Sequence, residues 1–288
     1  MFFPGQKEDI IMNKKVVKKM MAIGLSAMMA IGMNATVFAA DDSSESVKGA
    51  LEGVKLSFGT TALFAPFTYY DTDGTTLIGF DLDLMNALKD YLGFEIDGDI
   101  QVMDYSALTT SLAEGKLDFG MAALCATDER KEVMDFTETY RDSGQVVMIN
   151  KETSPSEITD IDTLVKGDYK IAVEKGTASH LYCTNNGVSD DRLEVHDTIT
   201  TAYESLEQGK VDAVIQDGPN AYYYIKTTDG TKLEVVGDEF NQGQAPYAIA
   251  VSRDCAEANE GIVDTFNQAI KDLTDDGTID KLVTEWLE

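Results

Sequence analysis

The sequence predicts an α/β protein of two similar lobes, each a mostly parallel sheet flanked by helices, with a crevice between them. Two observations predict it. The segment Ser111-Leu-Ala-Glu-Gly-Lys-Leu-Asp-Phe-Gly-Met-Ala-Ala123 returns as Ser205-Leu-Glu-Gln-Gly-Lys-Val-Asp-Ala-Val-Ile-Gln-Asp217, with five identical positions and Leu117 matched by Val211. Each copy reads as the end of a helix, a glycine suited to a left-handed C-cap, and a buried strand. The second observation is the run Leu117 to Leu124, apolar apart from one carboxylate and followed by polar residues. It reads as a buried parallel strand that ends in a working loop.

In that loop Thr127 is placed to cap a helix, and Arg130 falls in the first turn, where a cation opposes the helix dipole. A cation there needs another reason. Ligands of open parallel sheets bind beyond the carboxyl ends of the strands, so Arg130 is a candidate clamp for a ligand carboxylate. The alternative is a surface arginine paired with Asp128 or Glu132. If the two copies are equivalent, Ala123 and Asp217 end their strands at the same crevice, with Arg130 on one wall and Asp217 on the other. Asp217-Gly218 before Pro219 also fits a plain helix N-cap.

At 288 residues the chain can build two modest cores. Fifty-one acidic residues against 23 basic ones give a net charge of −28, which argues against nucleic acid and anionic membrane surfaces as partners and favours a soluble monomer. Residues 1–39 read as a signal peptide. Lys14, Lys15, Lys18 and Lys19 precede the apolar run Met20 to Met33, and Val37-Phe38-Ala39 offers a small-x-small cleavage site. The apolar core is shorter than the roughly 20 residues of a membrane span. No cysteine follows it, so no lipoprotein anchor is expected. Translation starts more naturally at Met12, and residues 1–11 read as untranslated leader. Cys125, Cys183 and Cys255 cannot all pair, and none has metal-like spacing with His180 or His196. No metal or cofactor is expected.

After a polar tether at 40–52, Val54 to Gly59 reads as a first strand and Thr60 to Tyr70 as a loop. Its aromatics offer a ligand platform through Phe64, with Phe67 and Tyr69 assigned to the core. Phe80 to Leu92 is an amphipathic helix closed by Gly93, Ile100 to Met103 a second strand, and Asp104 the cap of the next helix. Tyr105 then faces either the crevice or the core. Val146 to Ile149 is read as a strand crossing between lobes. Ile171 to Val173 starts the second core, and the helix opening at Thr177 and Ala178 presents free N–H groups that suit a carboxylate. Leu193 to His196, a helix around Ala202 to Leu206 and Val211 to Ile215 complete the repeat. Ala248 to Val251 is a strand, and two amphipathic helices carrying Phe266 and Trp286 close the chain on the first lobe. The expected boundaries are 53–142 with 246–288 for lobe one and 143–245 for lobe two, giving two hinge crossings.

Ala-Pro-Phe at 65–67, Gly-Phe-Asp-Leu-Asp at 79–83, Gly-Lys-Leu-Asp at 115–118, Thr-Asp-Glu-Arg at 127–130, Asp-Phe-Thr at 135–137 and Gly-Thr at 176–177 follow one another in an order that resembles the bacterial periplasmic solute-binding proteins of polar amino-acid ABC transporters. The resemblance spans Val54 to Glu288 and implies a type II periplasmic-binding-protein fold. It also implies a secreted receptor, periplasmic or extracellular, that delivers an L-amino acid to permease subunits. It assigns the ligand α-carboxylate to Arg130 with help from Thr177, the α-ammonium to Asp217, and a sandwich of the side chain to Phe64 and Tyr105.

Some positions depart from that pattern. Cys125 stands where a hydroxyl is usual and Ala123 where glycine is usual, which weakens or shifts part of the carboxylate contact. Thr61 replaces an aspartate of glutamine and basic amino-acid binders, which argues against those ligands; the expected ligand is a polar or cystine-like amino acid. Glu174 either recruits a cationic or polar side chain or pairs with Lys175. Two other functions fit the scaffold: a dehydratase-like enzyme using Glu174, and a ligand-sensing domain.

Overall fold

The computed structural model describes residues 46–288. The expected signal peptide, the leader and the start of the tether lie outside the described residues. Residues 46–53 do not dangle as a tether. Gly49 N–H donates to Tyr91 O and Leu51 N–H to Leu92 O, both at 2.9 Å, and the Leu51 side chain is buried. This segment is stitched to the end of a helix whose last carbonyls need donors.

The chain runs through β1 (Lys55–Leu56) and β2 (Phe58–Thr60), then an antiparallel unit of β3 (Leu63–Phe64), β4 (Thr68–Tyr70) and β5 (Leu77–Ile78). The predicted loop at 60–70 is thus largely a hairpin. Next comes α1 (Phe80–Leu92), closed as predicted by Gly93 in the left-handed region at φ 82°. β6 (Glu95–Ile96), β7 (Gln101–Val102), α2 (Tyr105–Ala113), β8 (Phe119–Gly120), the single turn α3 (Asp128–Lys131) and β9 (Asp135–Phe136) follow. The chain then builds a second sheet with β10 (Gln145–Asn150), α4 (Ile161–Lys166), β11 (Ile171–Glu174), α5 (Ala178–Asn185), β12 (Leu193–His196), α6 (Ile199–Glu207), β13 (Ala213–Asp217), α7 (Gly218–Thr227) and β14 (Leu233–Phe240). It returns to the first sheet with β15 (Ala250–Val251) and ends in α8 (Arg253–Ala258), α9 (Ile262–Asp275) and α10 (Thr278–Leu287).

The two five-stranded sheets share one plan. Their orders are β7-β2-β8-β15-β9 and β12-β11-β13-β10-β14. In each, the repeat strand, β8 or β13, is central, with a parallel neighbour on one side and an antiparallel one on the other. The repeat glycines Gly115 and Gly209 both take the left-handed conformation, at φ 66° and 64°, and turn each helix into its strand. The regular strand in the first copy is shorter than the apolar run suggested: β8 spans only Phe119 and Gly120, and Ala123 beyond it takes the left-handed conformation at φ 49°. β10 is an inner strand of the second sheet rather than a strand spanning the lobes.

The first core centres on Phe119, whose ring lies 4.9 Å from Phe58, 5.7 Å from Phe94 and 5.6 Å from Phe266. The last helices pack on α1, and Trp286 Nε1 donates to Asp83 Oδ2 at 2.9 Å. Val147, Ile149, Leu164, Ile171, Val173 and Ile215 form the second core. All three cysteines are buried and free. Among the described residues, no helix is long and apolar enough to cross a membrane.

Gly79 sets where α1 begins. Its φ of 129° and ψ of 172° belong to a region open essentially to glycine, and a Cβ there would lie 2.2 Å from Phe67 O. Gly79→Ala is expected to lower stability by at least about 2 kcal/mol in denaturant unfolding. A change under about 0.5 kcal/mol would show that the helix can start without this close approach.

Candidate functional site

Each repeat ends its strand at the cleft, and the two ends differ. After β8 the chain reaches Ala123, which sits in the left-handed region at φ 49°, the conformation that makes glycine the easier residue there. Its N–H donates to Asp81 Oδ2 at 2.6 Å, and Tyr140 OH donates to Asp81 Oδ1 at 2.9 Å. Asp81 is fully buried in the first turn of α1, and burial pushes its carboxyl up to about 7 despite those two donors.

Arg130 is 7% exposed. Thr127 Oγ1 caps the turn by accepting from Arg130 N–H, as its sequence position suggests. The guanidinium donates through one terminal nitrogen to Cys125 O and through the other to Gly176 O, each at 2.6 Å, and lies 5.1 Å from the centre of the Tyr105 ring. Gly176 belongs to the second lobe, so this side chain bridges the cleft. It pairs with neither Asp128 nor Glu132; the Asp128 carboxylate is taken by Lys131 at 3.5 Å.

Asp217 closes β13 and lies opposite Gln145 in the ladder. Its carboxylate accepts from Gln145 Nε2 and Tyr247 OH, both at 2.9 Å, and the Cys125 thiol is 3.8 Å away. Asp217 occupies the N-cap position of α7, but its side chain makes no cap bond. Burial pushes its carboxyl above the usual range, and Gln145, Tyr247 and Arg130 pull the other way. Burial also pushes the Cys125 thiol up, so it stays protonated.

Glu174 ends β11. It is 6% exposed, and among the described residues neither a hydrogen bond nor an ion pair holds its carboxyl group, so Lys175 is not its partner. Burial, then the nearby Asp217 and Asp104, push it up to about 8. Glu174 lines a cavity of about 270 Å³ together with Thr61, Phe64, Asp104, Tyr105 and Thr198. Tyr105 is therefore both buried and at the cleft, which joins the two alternatives open for it. Asp104 stands before α2 without making the predicted side-chain cap. The Thr61 hydroxyl bonds Thr68 at 2.9 Å, and Phe64 rests against Phe67. Thr177 caps α5: its hydroxyl donates to Glu174 O at 2.8 Å and accepts from His180 N–H at 3.3 Å. Ala178 opens that helix beside it.

Four residues around these charges were not singled out from sequence. Asp81 falls within a motif, and Gln145 borders an apolar strand as its one polar residue before Asn150; both leave a trace. Tyr140 and Tyr247 leave none. Among the described residues, no group of three or more His, Cys, Asp or Glu could hold a metal ion.

Two lobes of one plan, each bringing a buried charged group to a shared cleft, define a solute-binding protein. The chain belongs to the bacterial extracellular solute-binding proteins, family 3, whose model matches residues 56–288. It is 27% identical over 232 residues to the arginine-binding extracellular protein of Bacillus subtilis, covering 81% of this chain and 86% of that one. It is 27% identical over 272 residues to the L-cystine-binding protein of Escherichia coli, covering 93% and 97%. Among solved structures, the substrate binding protein of an amino acid ABC transporter superposes with a TM-score of 0.70 at 30% identity, covering 81% of this chain and 98% of that one.

The unfolded chain loses its carboxyl protons near pH 4, whereas the fold keeps those of Asp81 and Glu174 to about 7 and about 8. At these two groups the folded state thus binds more protons across that window, so the stability they contribute falls as pH rises from about 4 to about 8, outweighing the single opposite contribution of His180, which burial holds below its usual value. The melting temperature of the ligand-free protein is expected to drop between pH 5 and 8. In a variant carrying Asp81→Asn and Glu174→Gln the drop should be smaller; an unchanged slope would remove these two groups as its cause.

Proposed function

We propose that this chain captures an L-amino acid between its lobes and presents it, as a secreted monomer, to the permease of an importer. The observation that carries this reading is a guanidinium on one wall and a carboxylate on the other, both more than nine-tenths buried and close enough to influence one another's ionisation. Among the described residues they form no ion pair with each other or with any other side chain. Holding both charges away from water is unfavourable, and a zwitterion spanning the gap satisfies both.

The α-carboxylate would face Arg130, a planar fork suited to two parallel hydrogen bonds, with the start of α5 at Thr177 and Ala178 beside it. The α-ammonium would face Asp217, already oriented by Gln145 and Tyr247. Only a ligand with both ends holds both lobes, so closure is coupled to binding. Family membership and the named relatives, which are binding proteins, support capture rather than turnover.

Calorimetry of the refolded protein against the L-amino acids tests this. Micromolar affinity, about −8 kcal/mol, is expected for at least one, with the ligand recovered unchanged. Arg130→Ala should abolish detectable binding while circular dichroism stays native, and Asp217→Asn should weaken it by about 10- to 100-fold, the loss of one charge-assisted bond. Unchanged affinity in either variant would refute the assignment of that end of the ligand.

A further inference from the structure

Tyr105, whose ring centre lies 5.1 Å from the Arg130 guanidinium, also lines the cavity of about 270 Å³. Its walls differ in chemistry. Phe64, Tyr70, Val102 and Tyr105 supply apolar and aromatic surface, and Tyr70 and Val102 remain exposed at 41% and 40%. The charged groups in its lining are Glu174 and Asp104, with no lysine, arginine or histidine among them. An ionised carboxyl buried without a protein donor, facing a space also bordered by a second carboxyl, is unfavourable unless a cation meets it.

Resting on the amino-acid reading above, we infer that this pocket selects ligands whose side chain is an apolar stem ending in a cation, with Glu174 as the specificity-determining residue and Asp104 as a second carboxylate beside it. The stem lies along the rings of Phe64 and Tyr105, whose faces also attract a cation. A neutral amide can donate a hydrogen bond to Glu174 but gains no ion pairing from it. Cystine would bring a second carboxylate into a lining with two acids and no base. This departs from the polar or cystine-like ligand expected from sequence and from the argument against basic ligands at Thr61: the counter-charge comes from the opposite lobe instead.

The charged and titratable groups around Glu174 are Asp217 at the end of the adjoining β13, Asp104 and Tyr105 across the cleft, Tyr203 on α6, His196 in register on β12, and Lys175 next in the chain. His196 is engaged by Glu194 at 2.8 Å. Glu174 holds a proton near neutrality in the ligand-free protein, and a cation would displace it.

Calorimetry with lysine, ornithine, arginine, glutamine and cystine, on the wild type and on Glu174→Gln, tests the inference. The wild type is expected to bind at least one cationic ligand about tenfold or more tighter than glutamine and cystine, as one charge-assisted bond allows. Glu174→Gln should weaken the cationic ligands by about 10- to 100-fold and leave glutamine nearly unchanged. Repeated at pH 7 in buffers of different ionisation enthalpy, the cationic ligands should release up to about one more proton than glutamine, and the variant should erase that difference. Preference for glutamine or cystine, or a variant that shifts all ligands alike, would overturn the selectivity while leaving the Arg130 and Asp217 clamp standing. A wild type that binds no α-amino acid would overturn both.

Discussion

Arg130 can sit almost wholly out of water because two main-chain oxygens, one from each lobe, accept its N–H groups. Neither oxygen carries a full charge, so the guanidinium is solvated without being neutralised. It keeps its attraction for an anion while its position is fixed by Cys125 on one side and Gly176 on the other. Asp217 is treated in the same way: an amide and a phenol hold its carboxylate, and no lysine or arginine quenches it. Neutral hydrogen bonding of this kind is what permits two opposite charges to stay separate inside one cleft.

The sheet plan explains how the charges come to face each other. Each is reached from the carboxyl end of a central strand, and the central strands are the two repeat copies. What sets the copies apart at the cleft is how each one ends. The first finishes in a left-handed residue tied down by Asp81 and sends its chain on to Arg130; the second finishes in the acid itself. One duplicated framework with two different terminations thus yields a polar axis across the cleft.

Much of this was legible in the sequence, because the framework is periodic and the repeat is local. Gly93, Gly115 and Gly209 announce helix ends through the backbone conformation they allow, and Thr127 announces a helix start through its hydroxyl. Arg130, Asp217 and Glu174 stood out as charges in places where strands end. The residues that hold them did not. Tyr247 holds Asp217, and Tyr140 holds Asp81, through hydroxyls reached from distant segments, and no local pattern in the sequence marks such a partner. β14 was missed because Glu234, Asp238 and Glu239 interrupt its apolar pattern, as an edge strand permits. The hairpin at 63–70 was hidden by a proline and by aromatics that serve both a turn and a core.

The bonds from Gly49 and Leu51 to the end of α1 also bear on where the folded unit begins. A recombinant version trimmed to Val54 would leave the Tyr91 and Leu92 carbonyls without their donors and uncover the surface that Leu51 shields. The smallest well-behaved fragment therefore starts no later than Gly49, ahead of the first strand at Lys55.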